Sequence, residues 1–393
     1  MSEDNFELSV ELKMLRDSVR KFMREQVLPL ESKLDFDAAD LPQEDFDRLT
    51  KMTRDMGLWC FGQPKEYGGG GLSTFASVII TEEISQCRAG LYFPAYNVFG
   101  YDASPPPVIY EGTKEQIEKY AIPCIRDAQR TFFAITEPSG GSNPGETIQL
   151  RAVKDGNDWV LNGTKTFASR FAQAAWGVTF ARTDPTDKRG GISCFIIDKE
   201  MKGISYRKLP VICTSRDPYE VSFENCRVPQ ENLLGEIGKG LELSSQLLAR
   251  NRILYSIGNV GVAQAALRMA IEYSKQRVVF GEPLANKEAI QWMLADSDVE
   301  IRAARWLVWE TAWKADRGED FRHEVSIAKL YSSEILGNVI DRVVQIHGGY
   351  GVSRELPLER WYREARVRRI GEGPSEVMRY IISRNLIKGY KRY

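Results

Sequence analysis

The chain has 393 residues, 43% of them hydrophobic and 27% charged, a globular mix with room for two or three domains. Its 53 Lys and Arg against 54 Asp and Glu leave a net charge of −1, without the basic surplus of a nucleic-acid binder. No apolar run reaches the roughly 18 residues of a membrane span, and Met1-Ser2-Glu3-Asp4-Asn5-Phe6 carries no leader pattern.

The six cysteines, Cys60, Cys87, Cys124, Cys194, Cys213 and Cys226, are scattered and form no CxxC pair. That predicts reduced thiols in a cytoplasmic compartment and no zinc site. His323 and His347 are the only histidines, so a histidine-based triad or metal centre has few candidates.

In chain order the pattern predicts an α+β fold, mostly α. Residues 1–130 read as an N-terminal α-helical domain, with apolar residues at helical spacing over 8–16 and interruptions at Leu41-Pro42 and the four glycines 68–71. That glycine run lacks the Lys-Ser or Lys-Thr of a phosphate-binding loop and reads as a flexible turn. Residues 131–240 read as a small β-barrel or sandwich domain. There Trp159-Val160-Leu161 meets Asn162-Gly163, a tight-turn signal, and short strands follow at 175–181, 192–197 and 219–223. Residues 241–393 read as a C-terminal four-helix-bundle domain, with long proline-free stretches at 241–275, 289–316 and 324–346.

Near the end, Gly371-Glu372-Gly373-Pro374-Ser375-Glu376 sets one carboxylate between two glycines and ahead of a proline. Glycine flanks allow close backbone approach to a ligand, and a carboxylate presented there is placed to act as a base. Alone, the segment reads more readily as a surface turn.

Four further segments stand out. They are Phe133-Ala134-Ile135-Thr136-Glu137-Pro138-Ser139-Gly140-Gly141-Ser142, Asn162-Gly163-Thr164-Lys165-Thr166-Phe167-Ala168-Ser169, Gln276-Arg277-Val278-Val279-Phe280-Gly281 and Gln345-Ile346-His347-Gly348-Gly349-Tyr350-Gly351. With the terminal motif, they stand in the order and at the separations of the acyl-CoA dehydrogenase family, which the chain resembles over nearly its whole length.

The resemblance implies an FAD enzyme. It places Ile135 and Thr136 by the flavin ring, with Gly141 in the same loop and Ser142 near the diphosphate and the CoA thioester. Phe167 stands where the family usually has tryptophan, and Ser169 keeps a hydroxyl donor in place of threonine. Arg277, Phe280, Gln345, Gly348 and Gly349 correspond to residues that bind the FAD of a neighbouring subunit, which implies a homo-oligomer, commonly a tetramer. Arg252 matches an arginine that approaches the CoA moiety, and Gly371 and Gly373 flank the substrate.

The implied reaction is α,β-dehydrogenation of an acyl-CoA. Glu372 takes the α-proton, FAD N5 takes the β-hydride, and an electron-transfer flavoprotein accepts the electrons. Three positions depart from the family pattern: Gly371 and Pro374 replace a tyrosine and a threonine, and Glu376 replaces a flavin-contacting glutamine. Tyr110-Glu111-Gly112-Thr113 repeats the short motif but lies in the N-terminal zone, so Glu111 is rejected as the base on position. Asn251 offers no carboxylate where some branches carry theirs.

Gly371 is expected to open space beside the base. Together with Tyr92, Phe93, Tyr96, Phe99 and Tyr101 this predicts a branched, cyclic or aryl-bearing acyl group. An oxidase or monooxygenase, a decarboxylating or reductive relative, and a non-catalytic flavin-binding paralogue are the alternatives on the same fold.

Overall fold

The structure, a computed structural model, describes residues 7–36, 38, 40–88, 95–187, 190–212 and 217–390, without the side chains of residues 95 and 96. It contains two compact units, one of residues 1–49, 72–96 and 249–393, the other of residues 50–71 and 97–248.

The second unit is organised by one sheet. Its strands are β1 (Thr131–Ala134), β2 (Arg151–Asp155), β3 (Asp158–Ser169), β4 (Trp176–Arg182), β5 (Ile192–Asp198), β6 (Ile204–Lys208), β7 (Pro218–Pro229) and β8 (Leu233–Leu234). They run in the order β6-β7-β3-β2-β4-β5-β8, with β1 alongside β4. Side chains alternate across a strand with period two. On β5, Cys194 and Ile196 therefore pack with Trp176, Val178, Tyr120 and Ile117, while Phe195 and Ile197 join Trp159, Leu161 and Phe223. Both faces of β4 and β5 are buried, so both read as continuous apolar runs.

Two loop expectations are corrected. Asn162-Gly163 is not a turn, because β3 runs through it and bulges against β7 between Leu161 and Gly163. Gly163 has φ +143, and a Cβ there would lie 2.9 Å from Leu150 Cα, so the glycine serves close packing. The tight turn is Gly156-Asn157, across which Asp155 pairs with Asp158. The four-glycine run is a wound and bonded turn, with the Gly69 amide on the Pro64 carbonyl at 3.0 Å and the Gly71 amide on the Gln63 carbonyl at 2.8 Å.

The first unit is helical. Its elements include Val10–Phe22, Thr74–Ile84, Glu288–Asp316, Arg322–His347, Leu358–Arg368 and Ser375–Ile387, with residues 249–276 of helix Gly240–Gln276. Thr74–Ile84 is buried along nearly its whole length, so its polar ends need protein partners. Ser73 Oγ accepts from the Ala76 amide at 3.2 Å, and the Asp316 carboxylate accepts from the Thr74 and Phe75 amides at 2.6 and 2.9 Å. Arg305 closes the same contact on Glu82 at 2.7 Å.

Cys60, Cys87, Cys124, Cys194 and Cys226 are buried thiols, and Cys213 lies outside the described residues. Burial pushes Cys60 and Cys124 up to about 12, so neither is a ready thiolate. Among the described residues no helix is long and apolar enough to cross a membrane.

Candidate active site

The terminal motif forms a tight connection between helices Leu358–Arg368 and Ser375–Ile387. Within it Glu372 has φ +57 and Gly373 φ +96. The left-handed conformation costs a non-glycine residue roughly 1–2 kcal/mol, so something must hold Glu372 there. A half-buried arginine and a fully buried lysine do so. Arg252 Nε donates to the Glu372 carbonyl at 2.7 Å, and Lys329 Nζ donates to the Gly373 carbonyl at 2.5 Å. The Gly371 amide bonds the Val367 carbonyl at 2.9 Å, and the Ser375 amide bonds the Arg369 carbonyl at 3.0 Å.

Position 373 favours glycine, because its φ of +96 strains any other residue. A Cβ there would lie 2.8 Å from both Arg252 Nη2 and Met378 Cε. The Glu372 carboxylate sits in this setting with Oε2 buried and without a hydrogen-bond partner among the described residues. Burial, and then the neighbouring Arg252, push the Lys329 ammonium down to about 8. Burial also lowers Arg252, against the pull of Glu372.

Sequence reading missed Lys329. Its one signal is an unexpected lysine among the apolar positions of helix Arg322–His347, where it is fully buried. Arg252 is a half-buried anchor of the turn. Pro374 is the residue before helix Ser375–Ile387, and exposed Glu376 sits in its first turn, where an acidic side chain suits the helix N-terminus.

The open space expected beside Gly371 is filled. Tyr255 Oη lies 3.1 Å from the point a Cβ on Gly371 would occupy. The Arg368 guanidinium stacks 3.8 Å over the Tyr255 ring. Of the aromatics expected at the acyl end, Phe99 is only 1% exposed and packs as core, and Tyr101 is exposed. Tyr92, Phe93 and the side chain of Tyr96 lie outside the described residues. Glu111 is an exposed residue at the end of a short turn, and Thr113 behind it forms a capping box with Gln116.

The third and fourth motifs meet in a cavity of about 580 Å³. Arg277, Gly348 and Gly349 line it with Tyr273, Leu284 and His347. The His347 ring stacks on Tyr273 at 4.4 Å and contacts the Val343 carbonyl through Nδ1 at 2.8 Å; burial lowers its pKa. Gly348 and Gly349 face open space. Exposed Gln345 lies one helical turn before them, and Phe280 stands 99% exposed on the hairpin β9 (Val278–Val279) to β10 (Glu282–Pro283). A cation, free glycine backbone and ring surfaces fit the diphosphate and aromatic parts of a flavin dinucleotide.

The first two motifs meet in the sheet unit around Lys165, which is 0% exposed. Lys165 Nζ donates to Glu137 Oε1 at 2.7 Å and to the Ile135 carbonyl at 3.2 Å. Glu137 in turn accepts from the Gln149 and Leu150 amides at 2.7 and 3.0 Å. The Thr166 amide bonds the Thr136 carbonyl at 2.8 Å. These bonds fix the Ile135–Thr136 backbone against β3. Next to them β3 bulges between Lys165 and Ala168, and Phe167 adopts φ +58 with 57% of its surface exposed. A bulge re-aims a side chain, here an aromatic face pushed off the sheet. Ser169 closes β3, and exposed Ser142 follows Gly141, whose absent side chain leaves room for the Thr136 hydroxyl.

Residues 9–127 match the acyl-CoA dehydrogenase N-terminal domain, 132–226 the middle domain and 238–387 the C-terminal domain. Acryloyl-CoA reductase (NADH) of Anaerotignum propionicum is 35% identical over 99% of this chain and 97% of its own. The caffeyl-CoA reductase-Etf complex subunit CarC of Acetobacterium woodii is 36% identical over 96% of this chain and 97% of its own. The solved structure of butyryl-CoA dehydrogenase from Megasphaera elsdenii shares 30% identity and a TM-score of 0.86, covering 98% of this chain and 100% of its own. With all three domains matched in order and relatives above 30% identity along nearly the full length, the chain belongs to the acyl-CoA dehydrogenase family.

Proposed function

We propose that this oxidoreductase carries out α,β-dehydrogenation of an acyl-CoA thioester, with Glu372 removing the α-proton. The observation that carries this reading is the buried Glu372 carboxylate oxygen without a hydrogen-bond partner among the described residues, on a turn held by Arg252 and Lys329. Other buried carboxylate oxygens share this state, but Glu372 alone among them stands on a left-handed turn, as a presented base would. The Glu372 amide has no acceptor among the described residues, which leaves it to meet the negative charge that develops on the thioester oxygen.

FAD is the cofactor in this reading. When bound, it supplies the acceptor for the β-hydride. Ile135, Thr136, Gly141, Ser142, Phe167 and Ser169 offer backbone, hydroxyl and aromatic surface for the flavin, joined by Pro374 and Glu376. Ser142, Arg252, Gly371 and Gly373 belong to the substrate side. Arg277, Phe280, Gln345, Gly348 and Gly349 serve the cofactor of a neighbouring subunit, and the full exposure of Phe280 supports a partner there. A homotetramer follows from the family resemblance.

A reductive direction is the second reading, favoured by relatives named acryloyl-CoA reductase and caffeyl-CoA reductase. By microscopic reversibility, protonated Glu372 then returns a proton to the α-carbon. The Etf in the latter name supports an electron-transfer flavoprotein as partner, and its caffeyl group supports an aryl-bearing acyl chain.

Anaerobic flavin bleaching with butyryl-, octanoyl- and 3-arylpropionyl-CoA tests the reading. Bleaching by at least one thioester, reversed by the matching enoyl-CoA, is expected, with FAD released on denaturation. No bleaching by any thioester, or released FMN, overturns it.

Arg277→Ala is expected to lower both FAD content and oligomer size, because the cavity loses its cation for the diphosphate. Absorbance ratio and sizing chromatography read both; unchanged values count against a shared cofactor site.

A further inference from the structure

We propose that Lys329 is a positioning residue for the base: its ammonium holds the Gly373 carbonyl and so keeps the Glu372 turn in the left-handed conformation that presents the carboxylate. The inference deepens the dehydrogenation reading and rests on it.

The argument starts from strain. Glu372 and Gly373 are consecutive left-handed residues, and only the second is a glycine. Left to itself, Glu372 relaxes toward negative φ and its side chain swings to a different direction. Two consecutive carbonyls, Glu372 and Gly373, are each held by a different cation from a different helix. Arg252 comes from helix Gly240–Gln276 and Lys329 from helix Arg322–His347. One anchor fixes a point, whereas two on successive peptide planes fix the turn.

Lys329 is an expensive residue to bury. It is fully buried, and its nearest charges are Arg252, Arg368 of helix Leu358–Arg368, Glu372 itself and Glu334 on its own helix. Two of these four repel it. Nothing about packing asks for an ammonium here, and a methionine would fill a similar volume. What an ammonium adds is a charge-assisted bond to the Gly373 carbonyl.

The bond also sets a pH range. The ammonium titrates at about 8, below its ordinary 10.5, so it is charged under neutral conditions and neutral above that point. A neutral amine still donates, but a charge-assisted bond is roughly twice as strong as a neutral one, so the hold weakens as pH rises.

The test compares Lys329→Met, Lys329→Arg and Glu372→Gln with wild type as holoenzymes. Lys329→Met is expected to slow the limiting rate of anaerobic flavin bleaching roughly 10–100-fold, the range for a misplaced catalytic group, with little change in half-saturating acyl-CoA. Lys329→Arg is expected to restore most of the rate. Its rate should stay level as pH rises through about 8, where that of wild type declines, because a guanidinium keeps its charge. Hydrogen exchange at the bonded amides of Gly371 and Ser375, which bracket the turn, needs no substrate. It is expected to speed up in Lys329→Met and remain near wild type in Lys329→Arg.

Wild-type bleaching and exchange in Lys329→Met overturn the proposal. So does equal impairment of both lysine variants with one shared pH profile. If Glu372→Gln bleaches as fast as wild type, the dehydrogenation reading fails instead, and the exchange data alone decide whether Lys329 holds the turn.

Discussion

Glu372→Gln is expected to abolish flavin bleaching by acyl-CoA while leaving the cofactor bound. The loss should reach roughly 10²–10⁴-fold in the bleaching rate, the usual contribution of a positioned general base. The variant is clean because the turn is held by backbone rather than by the carboxylate. Arg252 and Lys329 grip the carbonyls of residues 372 and 373, so an amide side chain leaves both bonds in place. Glutamine keeps the shape and loses the basic lone pair. Glu111→Gln is the control, since Glu111 is exposed at the end of its short turn. Stopped-flow bleaching of the two variants decides the matter. A Glu372→Gln enzyme that bleaches at the wild-type rate removes Glu372 as the base.

Which parts of the site were legible in the sequence follows from what each residue type signals. Long helices announce themselves by periodicity and by the absence of proline, and the stretches expected at 289–316 and 324–346 are helices Glu288–Asp316 and Arg322–His347. Glu372 was legible because a carboxylate between glycines is unusual composition. Its two anchors were not. Arg252 and Lys329 lie 120 and 44 residues from their partners, and helical periodicity carries no information about which distant carbonyl a cation reaches. Asn162-Gly163 misled for a related reason. The pair is a tight-turn signal only when the strands on either side pair with each other, whereas here β3 continues and pairs with β7. Gly371 misled because an absent side chain shows a gap in sequence but not what fills it, and Tyr255 arrives from another helix. Lys165 and Glu137 lie inside two of the motifs, yet only the fold shows that they meet.

That pair gives the largest expected effect on stability. Lys165→Met should destabilise the protein by about 3–5 kcal/mol, the cost of stranding one partner of a buried ion pair. Glu137 would keep its bonds from the Gln149 and Leu150 amides but face no cation, and the Ile135 carbonyl would lose a donor. Replacing both ends, with Lys165→Met and Glu137→Gln together, should recover part of the loss because no buried charge is then left alone. The pH dependence has a defined sign. Burial pushes Lys165 down from 10.5 to about 8, against the upward pull of Glu137. Between these values the unfolded chain binds the proton and the folded chain does not, so this group's contribution to stability rises with pH across that window. The rise is absent once Lys165 is methionine. Urea midpoints for wild type, both single variants and the double variant at pH 7 and pH 10 measure each term. A Lys165→Met protein as stable as wild type at pH 7 would mean that the pair does not hold the Ile135–Thr136 backbone in place.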